Sequence, residues 1–239
     1  MPVKSVILGD MGPLEWIVTY GCKLGLRMLY RIDASEMSKI RTEGPLIVYT
    51  NHRGLVEAPL VYTFLKPRER VTGLSKIENF KNPFLGVIFR LWGIIPVHRS
   101  ENDMESMRSA LGALKAGFFL GLAPEGTRSK TGKLQRAQSG VAFLALHAGS
   151  PMQPLAQWDD LPLPGEAGRR RRLFRRPRFF IRVGRAFKLD AKGRKITHEI
   201  REEMTSEIMY QLAKLLPESR RGEYADMSLA TEKWLSFEA

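Results

Sequence analysis

The sequence predicts an α/β protein: a layered domain whose mixed, largely parallel central sheet is flanked by helices, with an N-terminal amphipathic helical segment added. Three observations carry this. From Pro45 onward, short apolar runs alternate with stretches whose apolar residues recur at three and four positions, the pattern of strands and helices in succession. Glycine, proline and asparagine stand where one element must stop and the next begin. With 44% hydrophobic and 26% charged residues in 239, the chain can bury a core, which excludes a disordered polyelectrolyte or a collagen-like chain.

The first element predicted is a helix over Leu14 to Ile32. Its polar residues Glu15, Thr19, Lys23, Arg27 and Arg31 recur every four positions and form one stripe, and Trp16, Ile17, Val18, Tyr20, Leu24, Leu26, Met28 and Leu29 fill the remaining surface. Its charges forbid a membrane span. An interfacial helix and an ordinary core helix both fit. Before it, MPVKSVILGD lacks the apolar stretch of a secretory leader.

Leu46 to Tyr49 follows Gly44-Pro45 as a buried strand, then Asn51-His52 turns into a helix over Pro59 to Leu65. Val71 to Leu74 is a strand. Asn82 caps a helix from Pro83 to Leu91, which Gly93 ends, and Ile94 to Val97 is the next strand. Met104, Met107, Leu111 and Leu114 mark a helix that runs to Gly117. Phe118 to Ala123 is strand, Ala137 to His147 a helix of small residues, and Met152 to Ala156 strand. A polar Pro/Gly loop over Asp159 to Gly168 leads into nine arginines between Arg169 and Arg185, of which Phe179 to Gly184 has strand propensity. Ile196, Ile200, Met204, Ile208, Leu212 and Leu215 predict the last helix. The expected division is residues 1–40 as the helical segment, 41–217 as the domain with a basic loop at 169–178, and 218–239 as a C-terminal tail.

The net charge of +13 calls for an anionic partner: nucleic acid, a phosphorylated substrate or an acidic membrane face. The lone Cys22 excludes a disulfide scaffold and fits a reducing compartment.

Two loops after strands carry reactive groups. In Asn51-His52-Arg53-Gly54-Leu55-Val56-Glu57, a histidine ordered by a carboxylate can take a proton from a hydroxyl. On a regular helix the two would stand about 140° apart, so the pair requires a turn, which Gly54 and Pro59 permit. In Pro124-Glu125-Gly126-Thr127-Arg128-Ser129-Lys130, a strand ends in a tight turn bearing cations, hydroxyls and free amides, suited to a phosphate monoester. A P-loop is excluded by the spacing from Gly126 to Lys133 and by Leu134 at the magnesium position. Nucleophile-elbow, zincin and dinucleotide signatures are absent.

Asn51-His52-x4-Glu57, Gly93-Ile94-Ile95-Pro96-Val97-His98-Arg99, Pro124-Glu125-Gly126-Thr127-Arg128-Ser129 and Pro151-Met152-Gln153-Pro154-Leu155, in this order, resemble the four blocks of the glycerolipid acyltransferases related to 1-acyl-sn-glycerol-3-phosphate acyltransferase. The resemblance covers about residues 45 to 156. It implies transfer of a fatty acyl group from an acyl thioester, acyl-CoA or acyl-ACP, to the hydroxyl of a lysophospholipid, lysophosphatidate to phosphatidate, with no cofactor and no metal. His52 is then the general base and Glu57 orients it. Glu125, Gly126, Thr127 and Arg128 line the acceptor site with Arg99, and Lys76 and Lys130 are additional candidates. One departure stands out: the first block normally ends in aspartate, and here it ends in Glu57.

The basic residues gather at two expected membrane-facing elements. One is the N-terminal helix with Trp16, Lys23, Arg27 and Arg31, and the other is the loop with Arg169, Arg170, Arg171 and Arg172. They predict peripheral or monotopic docking on anionic lipid at the cytoplasmic face. Two rival classes stay open: a nucleic-acid binder using the arginine run, which no nucleic-acid motif accompanies, and a membrane-associated member that is non-catalytic or has diverged to act on another lyso-lipid. Trp92, Phe84 and Phe89 belong either to the core or to an acyl groove.

Overall fold

The structure is a computed structural model that describes residues 12–54, 56–65, 70–98, 104–164 and 176–238. Its strands are β1 (Arg31–Asp33), β2 (Leu46–Thr50), β3 (Val71–Lys76), β4 (Ile95–Val97), β5 (Phe119–Leu122), β6 (Met152–Asp159), β7 (Arg178–Val183), β8 (Phe187–Leu189) and β9 (Leu235–Phe237). Its helices are α1 (Pro13–Leu29), α2 (Glu57–Leu65), α3 (Pro83–Leu91), α4 (Met104–Lys115), α5 (Gly140–Ala148) and α6 (His198–Leu215). The strands form one sheet in the order β1-β7-β6-β2-β5-β3-β4, with β8 paired to β6 and β9 to β8. The segment β6-β2-β5-β3-β4 is parallel throughout, and β7 and β8 lie antiparallel to β6. The mixed α/β architecture is the one the sequence predicts.

Alternation in β2 builds two cores at once. Ile47 and Tyr49 face one side with α4, α5 and α6, and Leu46 and Val48 face the other with α2 and α3. A strand apolar on both faces is what a parallel sheet covered on both sides requires. The predicted Asn82 cap holds, its carboxamide accepting from the amides of Phe84 and Leu85 at 3.0 and 2.9 Å, and the structure adds a second at Thr197, which accepts from Ile200 at 3.3 Å.

Two local readings need correction, and one open alternative is decided. The N-terminal helix stops at Leu29, and Arg31 lies in β1, parallel to β7, because its backbone finds a strand partner at Arg178. Trp92 belongs to the core, stacked on Tyr62 with ring centroids 4.6 Å apart. The stretch read as a tail packs into the body: Trp234 is 0% exposed, and β9 pairs with β8 through Phe187 and Phe237. Gly222 of that stretch presses on the Leu134 backbone, where a Cβ would meet the carbonyl oxygen at 2.1 Å.

The polar stripe of α1 turns inward. Thr19 is 0% exposed and accepts a hydrogen bond from Trp92 Nε1 at 3.0 Å, Glu15 is buried, and the Lys23 ammonium lies 4.3 Å from the Phe64 ring centroid. Val18, Cys22 and Leu26 pack inward beside this stripe, while most of the larger apolar residues face out, with Ile17 69% and Met28 68% exposed beside Leu14, Leu24 and Leu29. Lys23, expected on the membrane side, therefore points back toward α2. Among the described residues no helix is long and apolar enough to cross a membrane.

Candidate active site

β2, β5 and β3 are neighbours, and their carboxyl ends bring three predicted groups to one edge of the sheet. His52 follows β2, the 123–129 turn follows β5, and Lys76 ends β3. Ligand sites in open α/β sheets form at such edges. Asn51 prolongs the pairing of β2 with β6: its Nδ2 donates to the Gln157 carbonyl at 2.7 Å and its Oδ1 accepts from the Gln157 amide at 2.8 Å. The strand thus ends in a firm side-chain bridge, and the chain departs from it at His52.

His52 is half-buried. Burial foremost, then the positive charges of Arg128 and Lys76, lower the affinity of its ring for a proton to a pKa of about 4. A ring held neutral beside two cations can receive a proton at physiological pH, and the cations mark a place for a substrate anion. Arg128 is exposed on a turn closed by the Gly126 amide donating to the Ala123 carbonyl at 3.0 Å, with Gly126 at φ +66°. Thr127 and Lys130 are exposed on the same loop. Arg99 and Arg169 to Arg172 lie outside the described residues.

Glu57 takes a position different from the expected one. Its Oε2 accepts from the Gly54 amide at 2.7 Å, closing the 54–57 turn, and no hydrogen bond among the described residues joins it to the His52 ring. The carboxylate is buried, which raises its pKa, while the amides of Gly54 and Glu57 and the charge of Arg53 pull the other way.

Glu125 also departs from expectation. It is 2% exposed and does not line the open face of the turn. Its Oε1 accepts from the His52 amide at 2.8 Å, and its Oε2 accepts from the amide and Nε2 of Gln135 at 3.0 and 3.3 Å. The Ser129 amide donates to the His52 carbonyl at 2.8 Å, so the two reactive loops are joined at both ends of one residue.

Behind the loops stands an ion pair with no local signature. Arg53 donates through both terminal nitrogens to Asp159, with its shortest contact at 2.9 Å and 106 residues of separation. The buried Arg220 caps the carbonyls of Asp159 and Leu161 at 2.7 and 3.0 Å. Long-range pairings of this kind leave no periodicity for sequence reading to find, and Gln135, ten residues after Glu125, was missed because nothing in its neighbourhood marks the loop's return.

Comparison with known proteins gives these parts a context. The family model described as Acyltransferase matches residues 31–158. A 1-acyl-sn-glycerol-3-phosphate acyltransferase of Cocos nucifera is 33% identical over 127 residues, 52% of this chain and 39% of that one. The Pseudomonas aeruginosa protein of the same name is 27% identical over 150 residues, 59% of this chain and 57% of that one. A chloroplastic one from Brassica napus is 23% identical over 144 residues, 59% and 41% respectively. The chain thus spans about two fifths to three fifths of these relatives' lengths. The crystal structure of the 1-acyl-sn-glycerophosphate acyltransferase PlsC from Thermotoga maritima superposes with a TM-score of 0.60 at 21% identity, covering 87% of this chain and 83% of that one, a likeness of fold.

Proposed function

The chain belongs to the acyltransferase family, and from that premise we propose that it transfers a fatty acyl group from an acyl thioester to the free hydroxyl of a lysophospholipid, lysophosphatidate being the acceptor that fits best. The observation that carries this is a histidine held neutral beside Arg128 and Lys76 at one sheet edge. In the reaction a His52 ring nitrogen takes the hydroxyl proton as the acceptor oxygen attacks the thioester carbonyl. The tetrahedral intermediate collapses, the C–S bond breaks, and the imidazolium returns its proton to the thiolate. A base so placed contributes about 10²–10⁴-fold in rate. Arg128 pairs the acceptor phosphate, with Lys76 adding charge and Thr127, Lys130 and Arg99 as further contacts. Glu57 orients the base through the turn that it closes. Either acyl-CoA or acyl-ACP serves as donor in this reading, and no metal takes part.

Docking on a membrane belongs to the same reading. The outward apolar face of α1, with the exposed Phe84 and Val87 of α3, supports burial in an interface, and Trp16 and Tyr20 stack on it with centroids 4.2 Å apart. Arg176 donates to the carbonyls of Arg27 and Tyr30, tying the arginine run to the end of α1. Exposed Arg27, Arg31 and Arg178 lie nearby, with Arg31 and Arg178 in register, and such charges suit an anionic cytoplasmic leaflet, as does the single thiol.

The test is release of free thiol from acyl-CoA or acyl-ACP on anionic vesicles, with lysophosphatidate, glycerol 3-phosphate or a zwitterionic lyso-lipid as acceptor. Acceptor-dependent release, highest with lysophosphatidate and reduced about 10²-fold or more in His52→Ala, is expected. No release with any donor and acceptor would sink the reading and leave the scaffold or the nucleic-acid binder.

A further inference from the structure

We propose that Glu125 is a positioning residue that acts as a carboxylate to hold the base loop and the phosphate-binding turn together as one body. The proposal rests on the reading of His52 as the base and goes beyond it, because it moves the carboxylate of the second loop from the substrate to the frame.

The geometry carries it. Glu125 receives three N–H groups, from the His52 amide and from the amide and Nε2 of Gln135, and has no hydrogen bond to an acceptor. Gln135 Nε2 also reaches the Thr127 carbonyl at 3.3 Å, so the same side chain steadies the turn that presents Arg128. With the Ser129 amide on the His52 carbonyl, both peptide groups of the base are held by the second loop. An array made only of donors is matched by an ionised carboxylate. A proton on Oε1 would point at the His52 amide, and one on Oε2 at the two Gln135 donors.

The surroundings oppose that ionised state. Glu125 is buried, Glu57 faces it from α2, and the Tyr224 hydroxyl, which accepts from the Ala137 amide at 3.3 Å, approaches from the 222–224 turn. Among the described residues no lysine or arginine forms an ion pair with it. Burial first, with Glu57 adding, pushes its pKa up to about 7 against the pull of the three N–H bonds, while the His52 ring is at about 4. Between pH 5 and 8 the base is thus already neutral and the frame is the group that titrates. As pH falls through about 7 the carboxylate takes a proton, the donor array loses an acceptor, and His52 shifts against Arg128. The acid limb of kcat/KM, which reports groups of the free enzyme, then belongs to Glu125.

The test uses the full chain with histidine-selective ¹⁵N labelling. The four histidines give four backbone amide signals, and that of His52 is identified by its loss in His52→Gln. In the wild type this amide signal should shift with a midpoint near pH 7, and in Glu125→Gln it should stay constant. Glu125→Gln should lower kcat about 10²-fold, the scale of a misplaced catalytic group, with the acceptor KM changed by less than about threefold and the acid limb removed. Titration of the acceptor's own phosphate is common to both proteins and cancels in the comparison. Glu125→Asp should recover part of kcat and keep the limb. A His52 amide that does not titrate in the wild type would overturn the proposal, and so would wild-type kcat with an unchanged limb in Glu125→Gln. If Glu125→Gln does not fold, the wild-type titration and Glu125→Asp decide. Should the wild type transfer no acyl group, the functional reading fails, and the amide titration still settles the role of Glu125.

Discussion

α1 and α6 are nearly equal in length, 17 and 18 residues, each is amphipathic and each buries a glutamate, yet they direct their apolar faces oppositely. On α6, Met204, Ile208 and Leu212 enter the core, and Glu207 holds the C-terminal stretch by accepting from the amides of Lys233 and Trp234 at 2.8 and 2.9 Å. On α1 the buried Glu15 and Thr19 dock together with Val18, Cys22 and Leu26, and the broad face of Leu14, Ile17, Leu24 and Met28 is left outside. Periodicity therefore says which residues share a face, whereas the groups on the receiving surface decide which face is received. Trp92 Nε1 needs an acceptor, and Thr19 supplies one. The unburied apolar face of α1 is costly in water and calls for an apolar surrounding.

Three measurements can break or sharpen this contrast. The largest effect belongs to matched truncations: Leu212→Ala on α6 should cost about 2–5 kcal/mol in urea unfolding, and Leu24→Ala on α1 less than about 0.5 kcal/mol. Equal costs would erase the distinction between the helices. Next, Thr19→Val should cost about 1–3 kcal/mol by leaving the Trp92 indole N–H buried without its acceptor, whereas a neutral result would mean that α1 is not held by its polar stripe. The smallest concerns no folding energy at all. Ile17→Ser with Leu24→Ser should leave the unfolding curve in place and lower flotation with anionic vesicles about tenfold, since each apolar side chain withdrawn from an interface forfeits part of about 1.5–3 kcal/mol. Unchanged flotation would remove α1 from the docking surface.

Strands and helices from Leu46 to Ala156 were legible within a few residues because proline, glycine and asparagine mark their ends, as Gly149 does after α5 at φ +59°. The short strands β1, β8 and β9 were not, since three residues carry no period and gain their order from remote partners. At the site, the placing of His52 and Arg128 in loops at strand ends was legible, because each loop is rich in turn formers. The role of Glu125 was not, since a carboxylate inside a motif looks the same whether it faces a substrate or the backbone of its neighbour. Arg53, Asp159 and Arg220 lay out of reach for a related reason: a charge pair across 106 residues is a product of the fold and precedes no element.

The pairing of β1 with β7 also sets an order of events during synthesis. Asp33 and Arg182 bond at 3.0 Å across 149 residues, and the strand that seats residues 31–33 is among the later parts of the sheet to be made. At ribosomal rates of about 5–20 residues per second, a separation of 149 residues means that α1 and β1 leave the ribosome roughly 7–30 seconds before β7 exists. During that interval α2 and Trp92, which receive the inner face of α1, come to be made, and what is still missing is β7, which seats the chain just after the helix. On the proposed docking reading, the outward apolar face of α1 is open to a bilayer throughout that interval, before the sheet closes behind it.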